Sequence, residues 1–124
     1  MAKILIVDDE LLNRNLPELM LTRAGVPSLT ADGGEACLAI LEAHHEIEQI
    51  LLDISMPGIS GVAVCRAIRD NPRTHHIRII AYTAHAFEHQ REELRKAGFD
   101  DVLTKPFQSA DLFKVLGLEP AQPA

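Results

Sequence analysis

The stretch Ile50-Leu51-Leu52-Asp53 is an unbroken apolar run that stops at a carboxylate, with Pro57 and Gly58 shortly after it. A run this short and this apolar predicts a strand buried on both faces, as in a parallel sheet covered by helices. The same figure recurs along the chain. Residues 3–7 are largely apolar and lead into Asp8-Asp9-Glu10, residues 77–83 end in Thr83, and residues 101–104 lead into Lys105. Residues 26–31 make a poorer strand, and Pro27 argues that it lies at a sheet edge.

The intervening segments read as helices. Leu12, Leu16, Leu19 and Met20 recur at i, i+4, i+7 and i+8, which predicts an amphipathic helix with that stripe inward. Pro17 predicts a kink or a late start, because it removes the bond to the carbonyl of Asn13. Gly25 ends this helix in the left-handed conformation. Gly33, Ala36, Cys37, Ile40 and Leu41 repeat the stripe. Ser60 is placed to cap a helix that turns Val64, Cys65 and Ile68 inward and stops near Asn71-Pro72. The next helix, about 87–97, has a charged centre anchored by Phe87, Leu94 and Ala97, with Glu92 and Lys96 spaced as an i,i+4 pair. So thinly anchored a helix is a candidate moving part. Ser109 is placed to cap a last helix with Leu112, Phe113 and Leu116 inward.

Strands alternating with helices in this way require parallel pairing with helices on both faces. With the two weakest strands, the second and the fifth, at the edges, the expected fold is α/β. It is a flavodoxin-like (βα)5 three-layer sandwich with sheet order 2-1-3-4-5. One domain over residues 1–118 and a short tail over 119–124 are expected.

A net charge of −6 argues against non-specific binding to nucleic acid, which needs clustered positive charge. No apolar run approaches the roughly 20 residues of a membrane span, and the first strand is too short for a signal-peptide core. A cytoplasmic protein without membrane or nucleic-acid partners is expected. Cys37 and Cys65 fall on apolar helix faces without a CxxC pattern and read as reduced core residues. His44-His45 and His75-His76 lack metal-ligand spacing and read as surface residues.

In a parallel sheet every strand ends at the same edge, so Asp8, Asp9, Asp53, Thr83 and Lys105 are expected to converge. Three carboxylates in one crevice repel one another unless one holds a proton or a cation joins them. Mg²⁺ suits such hard oxygen ligands and also takes phosphate oxygens. Lys105 and Thr83 suit the remaining oxygens of a phosphoryl group, and a carboxylate such as Asp53 can itself be the nucleophile. Taken singly, each residue has a plainer reading: Asp8 or Asp9 as a helix cap, Asp53 as a loop acid, Thr83 as a structural hydroxyl, Lys105 as a surface amine. Their joint placement at strand ends favours a site. Two other classes compete. A small-cofactor binder on this fold needs a Gly-rich or Ser/Thr-rich phosphate loop after the first strand, where Asp8-Asp9-Glu10 stands. An aspartate-nucleophile phosphatase resembles families with a second acid two residues on, where Ser55 stands.

The motifs Ile6-Val7-Asp8-Asp9-Glu10, Leu52-Asp53-Ile54-Ser55-Met56-Pro57-Gly58-Ile59-Ser60-Gly61, Ala81-Tyr82-Thr83-Ala84 and Thr104-Lys105-Pro106-Phe107 together resemble the receiver domain of two-component response regulators. The resemblance runs over about residues 3–116. It implies that Asp53 is the phospho-acceptor and the modified residue. It further implies that Asp9 binds Mg²⁺ directly, that Asp8 acts through metal-bound water, and that the carbonyl of Ser55 completes the metal site. Thr83 and Lys105 grip the phosphoryl oxygens, and the Lys105-Pro106 bond is cis. The implied donor is a phosphohistidine on a sensor histidine kinase or histidine phosphotransfer protein, and the implied output is a protein target downstream in a phosphorelay. The chain is expected not to be an enzyme beyond catalysing its own phosphorylation and dephosphorylation. Similar domains often carry Tyr or Phe three residues before the lysine. Val102 stands there, so a different reporting surface is expected. His85, two residues after Thr83, is expected to influence phosphoryl lifetime or partner contact. A stand-alone regulator and a receiver cut from a hybrid kinase remain equally open.

Overall fold

A computed structural model describes residues 3–54, 56, 58–84 and 88–118, with the backbone alone for 88–90. Strands and helices alternate strictly: β1 (Ile4–Val7), α1 (Leu11–Arg23), β2 (Ser28–Ala31), α2 (Gly34–Ala43), β3 (Gln49–Asp53), α3 (Gly61–Asp70), β4 (Arg78–Thr83), α4 (Glu88–Ala97), β5 (Asp101–Thr104) and α5 (Ser109–Val115). All pairings are parallel, in the order β2-β1-β3-β4-β5, as the sequence predicts.

Successive residues of a strand point to opposite faces, and this parity splits the core in two. Leu5, Val7, Ile50, Leu52, Ile79 and Ala81 face α2, α3 and α4, where Cys37, Leu41, Val64, Cys65, Ile68 and Leu94 meet them. Ile4, Ile6, Leu51, Ile80 and Tyr82 face α1 and α5, where Leu21, Leu112 and Phe113 meet them. Burial of each such Ile or Leu stabilises the fold by about 1.5–3 kcal/mol relative to exposure. The central strands are therefore the firmest part of the molecule, and they carry the acids at their ends. Cys37 and Cys65 are buried free thiols, as expected.

The first helix reverses the expected orientation. Its buried residues are Pro17 and Leu21. Three of the four residues of the predicted inward stripe face solvent instead: Leu12 is 81% exposed, Leu16 46% and Leu19 49%, and Leu11 beside them is 60% exposed, while Met20 alone of the stripe is partly buried and packs on the core. The helix has two apolar stripes on nearly opposite sides, and periodicity does not say which one meets the sheet. The helix is continuous from Leu11 through Pro17, so the proline marks no late start. Gly25 closes it as predicted, with φ +77°. The N–H groups of Gly25 and Val26 donate to the carbonyls of Thr22 and Leu21 at 3.0 and 2.8 Å.

Other helix ends follow local chemistry. Ser60 Oγ accepts the N–H of Ala63 at 3.2 Å, as expected of a cap. Ser109 does not cap α5. Gln108 takes that place, with its N–H donating to Asp111 Oδ2 at 3.0 Å, and Ser109 is the first helical residue. Leu94 is the buried anchor of α4, with Ala97 partly buried, and the ion pairs among the described residues do not include Glu92 with Lys96. The carboxyl end of α4 is tied down by Arg69 of α3. Its guanidinium donates to the carbonyl of Gly98 through Nε at 2.9 Å and Nη2 at 2.7 Å, and to Asp100 Oδ2 at 2.7 Å. The Lys105-Pro106 bond is cis, as expected. Phe87 and the tail over 119–124 lie outside the described residues. Among those described, no helix is long and apolar enough to cross a membrane.

Candidate functional site

Register brings the acids together. Val7 pairs with Leu52, so Asp8 follows beside Asp53, and Asp53 pairs with Tyr82, so Thr83 lies one residue beyond it on β4. Thr83 in turn pairs with Thr104, which hands the chain to Lys105. One carboxylate oxygen from each of Asp8, Asp9 and Asp53 lies within 4.8 Å of the other two. Lys105 Nζ donates to Asp8 Oδ2 at 3.3 Å and stands 3.8 Å from Asp53 Oδ2. Asp8, Asp53 and Thr83 are buried, whereas Asp9 is exposed at the mouth. Thr83 is held by its main chain, whose carbonyl accepts the N–H of Lys105 at 2.8 Å.

The electrostatics are those of a crowded anionic pocket. Burial raises the Asp8 carboxyl above its usual range. The N–H of Glu10, which donates to Asp8 Oδ1 at 3.0 Å, opposes the rise; Asp53 adds to it, and Lys105 partly offsets it. Metal-free, the pocket carries more negative charge than one amine neutralises. Three oxygen donors, two of them buried, suit a hard divalent cation in charge and chemistry.

The sequence-predicted residues Asp8, Asp9, Asp53, Thr83 and Lys105 thus gather at one edge. Ser55 and His85 lie outside the described residues. Val102 is half-buried and packs on the core that faces α2, α3 and α4.

Three supports were not anticipated. Tyr82 is buried with its ring beneath the lysine, the Lys105 ammonium standing 4.1 Å from the ring centroid. Phe107 meets Tyr82 edge-on, centroids 5.5 Å apart at 71°. Arg14 donates to the backbone carbonyl of Asp8 at 2.8 Å and so braces the turn that presents both amino-terminal acids. The signal for Tyr82 lay in its register with Asp53, and that for Arg14 in its place on the first turn of the helix after the acids.

Close approach fixes the floor of the pocket. A Cβ at Gly61 falls 2.5 Å from the carbonyl oxygen of Asp53 and 2.6 Å from Ile54 Cα. Only glycine allows α3 to begin directly against the end of β3.

Known proteins are similar to this chain in sequence and in fold. The response regulator PleD of Caulobacter vibrioides is 39% identical over 112 residues, 90% of this chain and 24% of PleD. The transcriptional regulatory protein ResD of Bacillus subtilis is 40% identical over 112 residues, again 90% of this chain and 45% of ResD. This chain spans less than half the length of either. Among solved structures, the chemotaxis protein CheY4 of Vibrio cholerae superposes with a TM-score of 0.87 at 29% identity, over 94% of this chain and 97% of that one. The receiver domain of the sensor histidine kinase PA1611 of Pseudomonas aeruginosa gives 0.83 at 32% identity, over 94% and 95%, and holds a magnesium ion in its active-site cleft. Residues 4–117 match the family described as the response regulator receiver domain, and the chain belongs to that family of two-component signalling.

Proposed function

We propose that the chain is a phosphorelay receiver in which Asp53 accepts a phosphoryl group from the phosphohistidine of a sensor histidine kinase or histidine phosphotransfer protein. One observation carries this reading: Asp53 ends the central strand with Asp8 and Asp9 on one side and Lys105 on the other. A carboxylate oxygen of Asp53 attacks phosphorus, the P–N bond to imidazole breaks, and the imidazole leaves with that electron pair. Asp9, Asp8 and Asp53, with the carbonyl of Ser55, would hold Mg²⁺. When bound, it supplies positive charge against the phosphoryl oxygens and orients them for in-line transfer. Lys105, steadied over Tyr82, supplies a second positive charge, and the Thr83 hydroxyl donates to a third oxygen. The domain, taken as residues 1–118, catalyses only its own phosphorylation and dephosphorylation and works in the cytoplasm.

The donor docks along α1. Leu12, Leu16 and Leu19, spaced by four and three, form the seam of a two-helix contact on the solvent face. The helix begins two residues after Asp9, so a partner helix laid on that seam reaches the pocket. Phosphorylation then shifts the balance between two arrangements of the Thr83 end of β4 and α4, and a downstream protein reads the result.

Beryllofluoride with Mg²⁺ tests the chemistry. Stoichiometric binding that Asp53→Asn abolishes is the expected result. Failure to bind, or binding that survives Asp53→Asn, sinks the reading. A phosphotransfer screen against histidine kinases and phosphotransfer proteins then identifies the donor.

A further inference from the structure

At the sheet edge opposite Asp53, a cavity of about 560 Å³ opens between the carboxyl end of α2 and the loop that joins α3 to β4. This size is ordinary for a small-molecule pocket. Its floor is apolar: Leu41, Ile47 and Ile77 are buried there. Its rim is polar, with Arg73, His45 and His76 exposed around the opening.

The walls are fixed by hydrogen bonds, so the space is preformed. The N–H of Arg78 donates to the carbonyl of Glu48 at 3.0 Å and ties the two flanking loops together. Thr74 Oγ1 donates to the carbonyl of Ile68 at 2.8 Å. Arg69 donates to the carbonyls of His75 and Ile77 at 2.7 and 2.5 Å.

Of the rim groups, His45 is engaged, its Nε2 lying 2.9 Å from the carbonyl oxygen of Glu42, whereas Arg73 presents a guanidinium that no carboxylate among the described residues holds. Among the described residues, Arg73 makes a hydrogen bond through its backbone N–H, to Asn71 Oδ1 at 3.0 Å, and its guanidinium meets no carboxylate. His76 packs edge-on to the ring of His75, with centroids 6.2 Å apart, and among the described residues makes no hydrogen bond through its ring. Glu42 is the single carboxylate among the described residues of the lining. A guanidinium without a partner beside an apolar floor is complementary to a carboxylate carried on an apolar body.

We propose that this cavity is a binding site for a small organic anion, with its carboxylate on Arg73 and its apolar or aromatic body against Leu41, Ile47 and Ile77. The site is separate from Asp53 and does not depend on the phosphorelay reading.

Three probes of one shape test it: 3-phenylpropanoate, 3-phenylpropanol and 3-phenylpropylammonium, titrated into the full chain and followed by amide NMR shifts. The expected result is saturable shifts confined to the residues around Leu41, Thr74 and Ile77, with the anion bound most tightly and the ammonium least. Arg73→Gln, with its spectrum otherwise unchanged, brings the anion down about tenfold, the worth of one charge-assisted hydrogen bond, and leaves the alcohol as it was. No localised shift with any probe overturns the proposal. So does an ammonium that binds as well as the anion, which would assign the rim to Glu42, and so does an Arg73→Gln variant that binds the anion undiminished.

Discussion

The ammonium of Lys105 stands closer to Asp8 Oδ2, at 3.3 Å, than to Asp53 Oδ2, at 3.8 Å. Before any phosphoryl group arrives, the lysine is chiefly a counterion for the most deeply buried acid of the pocket. The two partners should therefore respond to neutralisation with opposite signs. Lys105→Met leaves two buried carboxylates facing each other and should destabilise the metal-free protein by roughly 2 kcal/mol, less than a fully buried pair because the lysine is partly exposed. Asp8→Asn should stabilise it. Urea unfolding of both variants without metal checks the signs.

The pH dependence follows from the same acid. Burial raises the Asp8 carboxyl of the folded, metal-free protein above the ordinary aspartate value of 3.8, so it releases its proton at higher pH than it does in the unfolded chain. Stability should therefore fall as pH climbs above that value, with the whole penalty in place once the raised folded pKa is passed. Asp8→Asn should remove this share of the slope, and Mg²⁺ should weaken it. Unfolding curves at steps between about pH 4 and 8 measure it.

Gly61→Ala should act on the fold and on Asp53 together. The added methyl meets backbone atoms, which cannot rotate aside. A loss of about 2–3 kcal/mol is expected, at the upper end for overpacking. Beryllofluoride binding should weaken by more than lost stability explains, because the carbonyl displaced belongs to Asp53.

Leu12→Ser separates docking from chemistry. At 81% exposure its removal should change stability by less than about 0.5 kcal/mol. Transfer from the protein donor should slow by about tenfold if the leucine seam supplies a contact worth roughly 1.4 kcal/mol. Phosphorylation by acetyl phosphate, which needs no docking helix, should be unchanged.

The thiols give a check on burial. Desolvation pushes Cys37 up to about 12 and Cys65 to about 11. At pH 8 neither holds appreciable thiolate, so both should resist iodoacetamide in the folded protein and react at ordinary rates in urea. Rapid native alkylation of Cys37 would contradict the packing of α2 on the sheet.

Sheet order and site were legible because they depend on the same simple signal, an apolar run and the residue that stops it. Asp8, Asp9, Asp53, Thr83 and Lys105 each follow or end a strand, and parallel pairing brings such positions to one edge. What depends on distant partners was not legible. The side of α1 that meets the sheet is decided by Leu21 packing beside Leu112 and Phe113, near the other end of the chain. Gln108 outcompetes Ser109 as a cap because Asp111 lies three residues beyond Gln108 and accepts its N–H. Nothing local to Arg69 marks it as a clamp, because its acceptors lie up to 31 residues away.

The Arg69 clamp bears on how a signal can leave the pocket. It fastens α4 at Gly98, the end remote from Thr83, so a displacement that keeps those bonds must be a swing rather than a slide. Ten residues at about 1.5 Å each make a lever of roughly 15 Å. Tilting it by about 10° carries the far end about 2.6 Å while the fastened end stays put. A tug of atomic size at the hydroxyl of Thr83 would thus be magnified along the helix without the sheet having to yield.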